Sequence, residues 1–147
     1  MVLNKSKFST DITLRPDDID LNQHLHSSKY MDYVLYARYD QMERCYGFSM
    51  EDFIKAGFGW VMTDSFMQFK RPLHLNDIAE VTTWVENFHK NLVEVQFTIN
   101  NKKSGKLSCN GWFKYSMIDL KSKRSALIPE EIVKKYLAIQ TSPHIFA

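Results

Sequence analysis

Between residues 92 and 99 the chain alternates without a break: Val93, Val95, Phe97 and Ile99 are apolar, while Glu94, Gln96 and Thr98 between them are polar. Only an extended strand turns every second side chain the same way, so this period of two predicts a sheet with one face against a core. Further long strand-like segments at 60–69, 78–88 and 106–118 surround it. His89-Lys90-Asn91 and residues 100–105 are short enough to close hairpins between them. The second half of the chain therefore reads as an antiparallel meander of about four strands. A closing helix is expected from Ile128-Pro129-Glu130-Glu131, where proline and two acids suit a first turn.

The first half has another period. Residues 8–14 alternate as a short strand with Phe8, Thr10, Ile12 and Leu14 on one face, and the polar residues 17–28 must be loop. From 28 to 46, Tyr30, Tyr33, Val34, Ala37 and Cys45 recur at helical spacing, beside a second arc of Met31, Leu35, Tyr39 and Met42. So wide an apolar arc predicts a helix buried on most sides. Ser27 and Ser28 are candidate N-caps, Gly47 is placed to end the helix in a left-handed turn, and a short second helix is expected over 49–56. Along 60–69, simple alternation puts Trp60, Met62, Asp64, Phe66 and Gln68 on one face. One strand, a long helix and then a meander give an α+β class in which a curved antiparallel sheet wraps around its own helix.

Composition narrows the function. With 44% hydrophobic residues, 147 residues suffice for one core, and residues 1–147 are expected to be a single domain. Nineteen Lys and Arg against 17 Asp and Glu leave a net charge of only +2, and the basic residues are scattered, which argues against nucleic acid. Polar residues interrupt every apolar group, so neither a leader nor membrane insertion is expected, and a cytoplasmic location fits best. Cys45 and Cys109 lack the spacing of a zinc site or disulfide framework and read as small apolar fillers.

The loop Asp18-Ile19-Asp20-Leu21-Asn22-Gln23-His24-Leu25-His26-Ser27-Ser28-Lys29-Tyr30 resembles the signature opening the central helix of hotdog-fold thioesterases. In the 4-hydroxybenzoyl-CoA thioesterase-like branch this runs D-x-D-x-x-G-H-V-N-N-x-x-Y. Both aspartates, the histidine and the tyrosine stand here at the same spacing. Asp20 to His24 is similar also to the D-x-N-Q-H-V-N-N loop of fatty acyl-ACP thioesterases, and Phe69-Lys70-Arg71-Pro72 followed by Asn76-Asp77 resembles the Y-x-R-P and G-D segment. The departures are Gln23 for glycine, His26-Ser27 for Asn-Asn, and Leu35 where many relatives carry a helix glutamate.

The resemblance implies the hotdog fold, hydrolysis of an acyl-thioester carried by coenzyme A or acyl carrier protein, and a homodimer or homotetramer with sites between subunits. No cofactor is expected, coenzyme A being part of the substrate. Asp20 matches the catalytic acid and would act as nucleophile or general base. Amides near Ser27 and Ser28, at a helix N-terminus, would face the developing oxyanion. Asn22 and His24 would orient a water or hold Asp20. A histidine is also a candidate base in its own right, which makes His24 the alternative to Asp20 in that role. The plainer alternative is that Asp20 and Asn22 close Asx turns and that His24 is a packing residue. Tyr30 is a candidate for the acyl pocket, and Arg38, Arg71 and Lys90 are candidate cations for the substrate's phosphates. Asp20, His24 and His26 do not form a recognised metal-ligand pattern. Two rival functions are a non-catalytic acyl-binding hotdog protein and an enoyl-thioester hydratase; the latter's pattern needs histidine five residues after the aspartate, and His24 is four after Asp20.

Overall fold

The computed structural model describes residues 6–138. In chain order it contains β1 (Phe8–Thr13), a 3-10 turn (Pro16–Asp18), α1 (Lys29–Arg44), α2 (Met50–Lys55), β2 (Phe58–Phe69), β3 (Ile78–His89), β4 (Leu92–Asn101), β5 (Leu107–Asp119) and α3 (Glu130–Ala138). The strands form one antiparallel sheet in the order β1-β3-β4-β5-β2. The expected α+β arrangement is present, and α1 lies against the sheet, packing on β1 and β3. Tyr33, Val34 and Ala37 of α1 share a core with Val81, Phe97, Ile99 and Phe113 of the sheet. Each fully buried phenylalanine contributes about 1.5–3 kcal/mol by leaving water.

Alternation survives where expected on β4, whose Val93, Val95, Phe97 and Ile99 are all buried. Lys90 turns the β3–β4 hairpin with φ +57°, and Gly47 ends the α1 region with φ +69°, as its position predicted.

The structure departs from the expected pattern at three places. First, β2 does not keep one face throughout. The register slips between Met62 and Asp64, so Thr63 is an extra residue, and every side chain beyond it changes side. Ser65, Met67 and Phe69 lie opposite the inward Phe113, Gly111 and Cys109, whereas Asp64, Phe66 and Gln68 share the outer face with Lys114, Trp112 and Asn110. Phe66 stacks on Trp112 outside the sheet, and Phe69 meets Tyr30 edge-on at 5.1 Å inside it.

Second, α1 is not buried on most sides. Leu35 and Tyr39 are 39% and 44% exposed, because no element among the described residues covers that arc. Third, Ser28 occupies the N-cap position with helical dihedrals (φ −67°, ψ −15°) and makes no side-chain cap. Its hydroxyl turns back to His26 Nδ1 at 2.8 Å.

A buried polar chain joins α1 to the sheet. Arg38 donates to Thr83 Oγ1 at 3.1 Å, Thr83 donates to Gln41 Oε1, and Gln41 Nε2 donates to Thr10 Oγ1 at 3.0 Å. Thr10 donates in turn to Asp40 Oδ2 at 2.7 Å, and Arg44 pairs with that carboxylate at 2.9 Å. Such groups are tolerated inside because each finds a partner.

Candidate active site

The loop between β1 and α1 is held from beneath by Asp18. This carboxylate is 2% exposed and accepts from the Tyr33 hydroxyl at 2.8 Å and from Arg15 Nε at 3.4 Å, while its backbone oxygen accepts from the His26 N–H at 2.8 Å. Burial works against its charge, but the bonds from Tyr33 and Arg15 outweigh it and hold the pKa below the ordinary value. Asp18 is thus an anchor that fixes the loop on α1. The sequence shows it only as a repeat of the Asp20 residue type; its depth depends on Tyr33 rising from the helix.

Above the anchor, the chain folds into a tight turn. Asp20 N–H donates to His24 O at 2.7 Å, Gln23 N–H donates to Asp20 O at 3.1 Å, and Gln23 takes a left-handed backbone, φ +68°. Glycine accepts that conformation without cost, which gives a physical reason for the glycine at this place in the related signature. Asp20 Oδ1 accepts from the amides of Asn22 at 2.8 Å and His24 at 3.1 Å. The turn-closing role weighed for Asp20 is therefore real. It uses one oxygen, and Oδ2 has no hydrogen-bond partner among the described residues. The amides of His24 and Asn22 favour the ionised form and lower the Asp20 pKa.

Leu25 N–H donates to Leu73 O at 2.7 Å, His24 bridges to His74, and their rings meet edge-on at 5.1 Å. The segment after β2 is thereby pinned beside the loop. Asp20, His24, Ser27 and Tyr30 come together with Phe69, Lys70 and Arg71 around one open cleft. Arg71 donates from its guanidinium to Leu107 O at 3.0 Å, which holds it at the rim.

At the start of α1 the expected pair of amides is reduced. Ser28 N–H is already bound to His26 Nδ1 at 3.1 Å, while Ser27 N–H has no partner among the described residues. An acceptor Nδ1 makes Nε2 the protonated nitrogen of a neutral His26. Asn22 is exposed and does not line the cleft. Two of the candidate cations lie elsewhere. Lys90 is in the β3–β4 turn, at the sheet end opposite Phe69 and the cleft. Arg38 is 8% exposed and faces inward, because α1 turns residues 34, 37, 38 and 41 toward the sheet. His74 joins the cleft region only through the long-range bridge, and no local pattern in the sequence signals it.

Cys45 and Cys109 are both buried, and burial pushes the Cys109 thiol up to about 12, far from a reactive thiolate. Among the described residues, no three histidine, cysteine or acidic side chains converge as a metal site would require.

A second, apolar cavity of about 290 Å³ opens between α1 and the sheet, under the uncovered arc of the helix. Leu35, Tyr39, Trp60, Phe88, Val95 and Tyr115 form much of its wall. Trp60 and Phe69 lie at opposite ends of β2, so this cavity is remote from the Asp20 cleft of the same protomer.

Residues 14–136 match the family model described as the thioesterase-like superfamily. The chain is similar to the long-chain acyl-CoA thioesterase FadM of Escherichia coli K12, at 21% identity over 126 residues, covering 86% of this chain and 94% of that protein. Among solved structures it is similar to a DHNA-CoA thioesterase from Staphylococcus aureus, with TM-score 0.83, 22% identity, and coverage of 94% and 93% of the two chains. It also resembles a 1,4-dihydroxy-2-naphthoyl-CoA thioesterase from Synechocystis, with TM-score 0.81, 15% identity, and coverage of 89% and 96%. These likenesses carry the hotdog fold.

Proposed function

The chain belongs to the thioesterase-like superfamily and is thereby a thioester hydrolase, and we propose that it releases a carboxylic acid from an acyl-CoA at the Asp20 cleft. The observation that carries this reading is the division of labour within Asp20. One oxygen of the ionised carboxylate is fixed by two backbone amides, and the other has no partner among the described residues, at the edge of an open cleft. Fixing a carboxylate in this way prepares it to attack a thioester carbonyl or to take a proton from water without reorganising. The free Ser27 N–H, at the positive end of α1, supplies a donor for the oxyanion. Lys70 and Arg71 at the rim meet phosphate groups of the carrier.

The working site is composed of two protomers. β2 is a 12-residue edge strand with nothing paired on its outer side among the described residues, and it exposes Val61, Phe66 and Phe69. Such an edge invites another strand. Antiparallel pairing of two copies of β2 brings the Trp60 end of one against the Phe69 end of the other, which sets the apolar cavity of one protomer beside the Asp20 cleft of its partner. A non-catalytic acyl-binding protein needs the cavity but not the tethered carboxylate. Thiol release from short, long and aromatic acyl-CoAs, with acyl carrier protein thioesters as a second set, tests the reading. Turnover supports it; binding without turnover of any substrate overturns it.

A further inference from the structure

The apolar cavity holds one feature that an ordinary hydrocarbon pocket has no use for. Arg38 lines it, 8% exposed, and a guanidinium stays charged at any ordinary pH. No carboxylate pairs with it among the described residues, and the position one turn earlier on the cavity side is Leu35. Of its five N–H donors, one side chain acceptor, Thr83 Oγ1, takes a bond at 3.1 Å. The Tyr46 ring lies under the guanidinium at 5.3 Å, and the buried Tyr46 side chain supports the cation as a neutral phenol. The neighbouring phenols give no countercharge: burial pushes Tyr115 up to about 12 and raises Tyr46 as well.

A buried cation without a countercharge is costly, and a cation–π contact with one neutral bond offsets only part of that cost. Packing does not account for it, since methionine fills such a space without the charge. Resting on the hydrolase reading above, we propose that the cavity selects acyl groups whose far end carries a carboxylate, bound by the Arg38 guanidinium. The apolar walls take the methylene stem. An acyl-CoA with a plain hydrocarbon end would leave the cation buried without a countercharge, so the discrimination works against it as well as for the charged chain.

The experiment compares acyl-CoAs of six, eight and twelve carbons in matched forms ending in methyl, hydroxyl or carboxylate, assayed by thiol release. Binding of the corresponding free mono- and dicarboxylic acids is measured by calorimetry alongside. Wild type is expected to favour the carboxylate form at its best length by tenfold or more in kcat/KM, mainly through KM. Arg38→Met is expected to reverse that order and Arg38→Lys to retain part of it. Should Arg38→Met fail to fold, Leu35→Glu serves instead. It places a carboxylate at the cavity rim one turn from Arg38, and the preference should collapse there but persist in Leu35→Gln. Equal or better use of the methyl or hydroxyl forms by wild type overturns the proposal, as does a carboxylate preference unchanged in Arg38→Met or Leu35→Glu. Turnover of the panel without that preference sinks this inference alone. Dicarboxylate binding that depends on Arg38, with no thioester hydrolysed, sinks the hydrolase reading and leaves the pocket assignment standing.

Discussion

Two aspartates separated by one residue do different work, and the difference lies in what surrounds each oxygen. Asp18 is buried against Tyr33, so Asp18→Ala strands that hydroxyl inside and should cost about 1–3 kcal/mol, read as a lower midpoint in urea unfolding. Asp20 is held by the amides of His24 and Asn22, which depress its pKa. A base or nucleophile acts only when ionised, so activity is lost as pH falls through the lowered pKa of the folded protein. The acid limb of kcat/KM should therefore lie below the ordinary aspartate value of about 3.9, within the range where circular dichroism shows the fold intact. An acid limb well above the aspartate range would take the base role away from Asp20.

At the scale of elements, how closely the chains pack decides what substitutions are tolerated. Gly111 on β5 sits where an added methyl would fall 1.9 Å from Phe66 O on β2, so Gly111→Ala must force two paired strands apart. We expect a loss of about 2–4 kcal/mol, measured by thermal and urea unfolding; an unchanged midpoint would contradict the β2–β5 register. The sequence makes these elements legible wherever one period runs undisturbed. The alternation of β4, the 3.6-residue pattern of α1 and the turn at Gly47 are each local and each appear as expected. What fails to show is nonlocal. The bulge at Thr63 inverts the rest of β2, although nothing in its composition distinguishes it from a regular strand. Helical spacing marks the Leu35 and Tyr39 arc as apolar but does not say whether this chain covers it. The site follows the same rule: the loop motif locates Asp20, His24, Ser27 and Tyr30 together, whereas the inward turn of Arg38 and the pairing of His24 with His74 depend on the sheet.

For the whole molecule, the separation of cleft and cavity within one protomer leads the proposed function to predict assembly. Sedimentation should find at least a dimer. If each site joins the Asp20 cleft of one protomer to the cavity of its partner, two inactive variants complement each other. Mixed by co-refolding, Asp20→Asn and a cavity-blocking Leu35→Trp yield heterodimers with one site carrying both lesions and one carrying neither. Activity should then recover to about one quarter of wild type, since about half of the dimers are mixed and half of their sites are intact. No recovery would place the whole site within one chain.

If the unpartnered oxygen of Asp20 performs the hydrolysis, Asp20→Asn removes the reacting group and little else. Asparagine retains Oδ1 as an acceptor for the amides of Asn22 and His24, so the turn and the assembly are preserved while the carboxylate is removed. Measured by thiol release from the best acyl-CoA, with sedimentation and unfolding unchanged, turnover should fall by about 100-fold or more. A folded, assembled Asp20→Asn protein that hydrolyses the same thioester at the wild-type rate would mean that Asp20 is not the hydrolytic group.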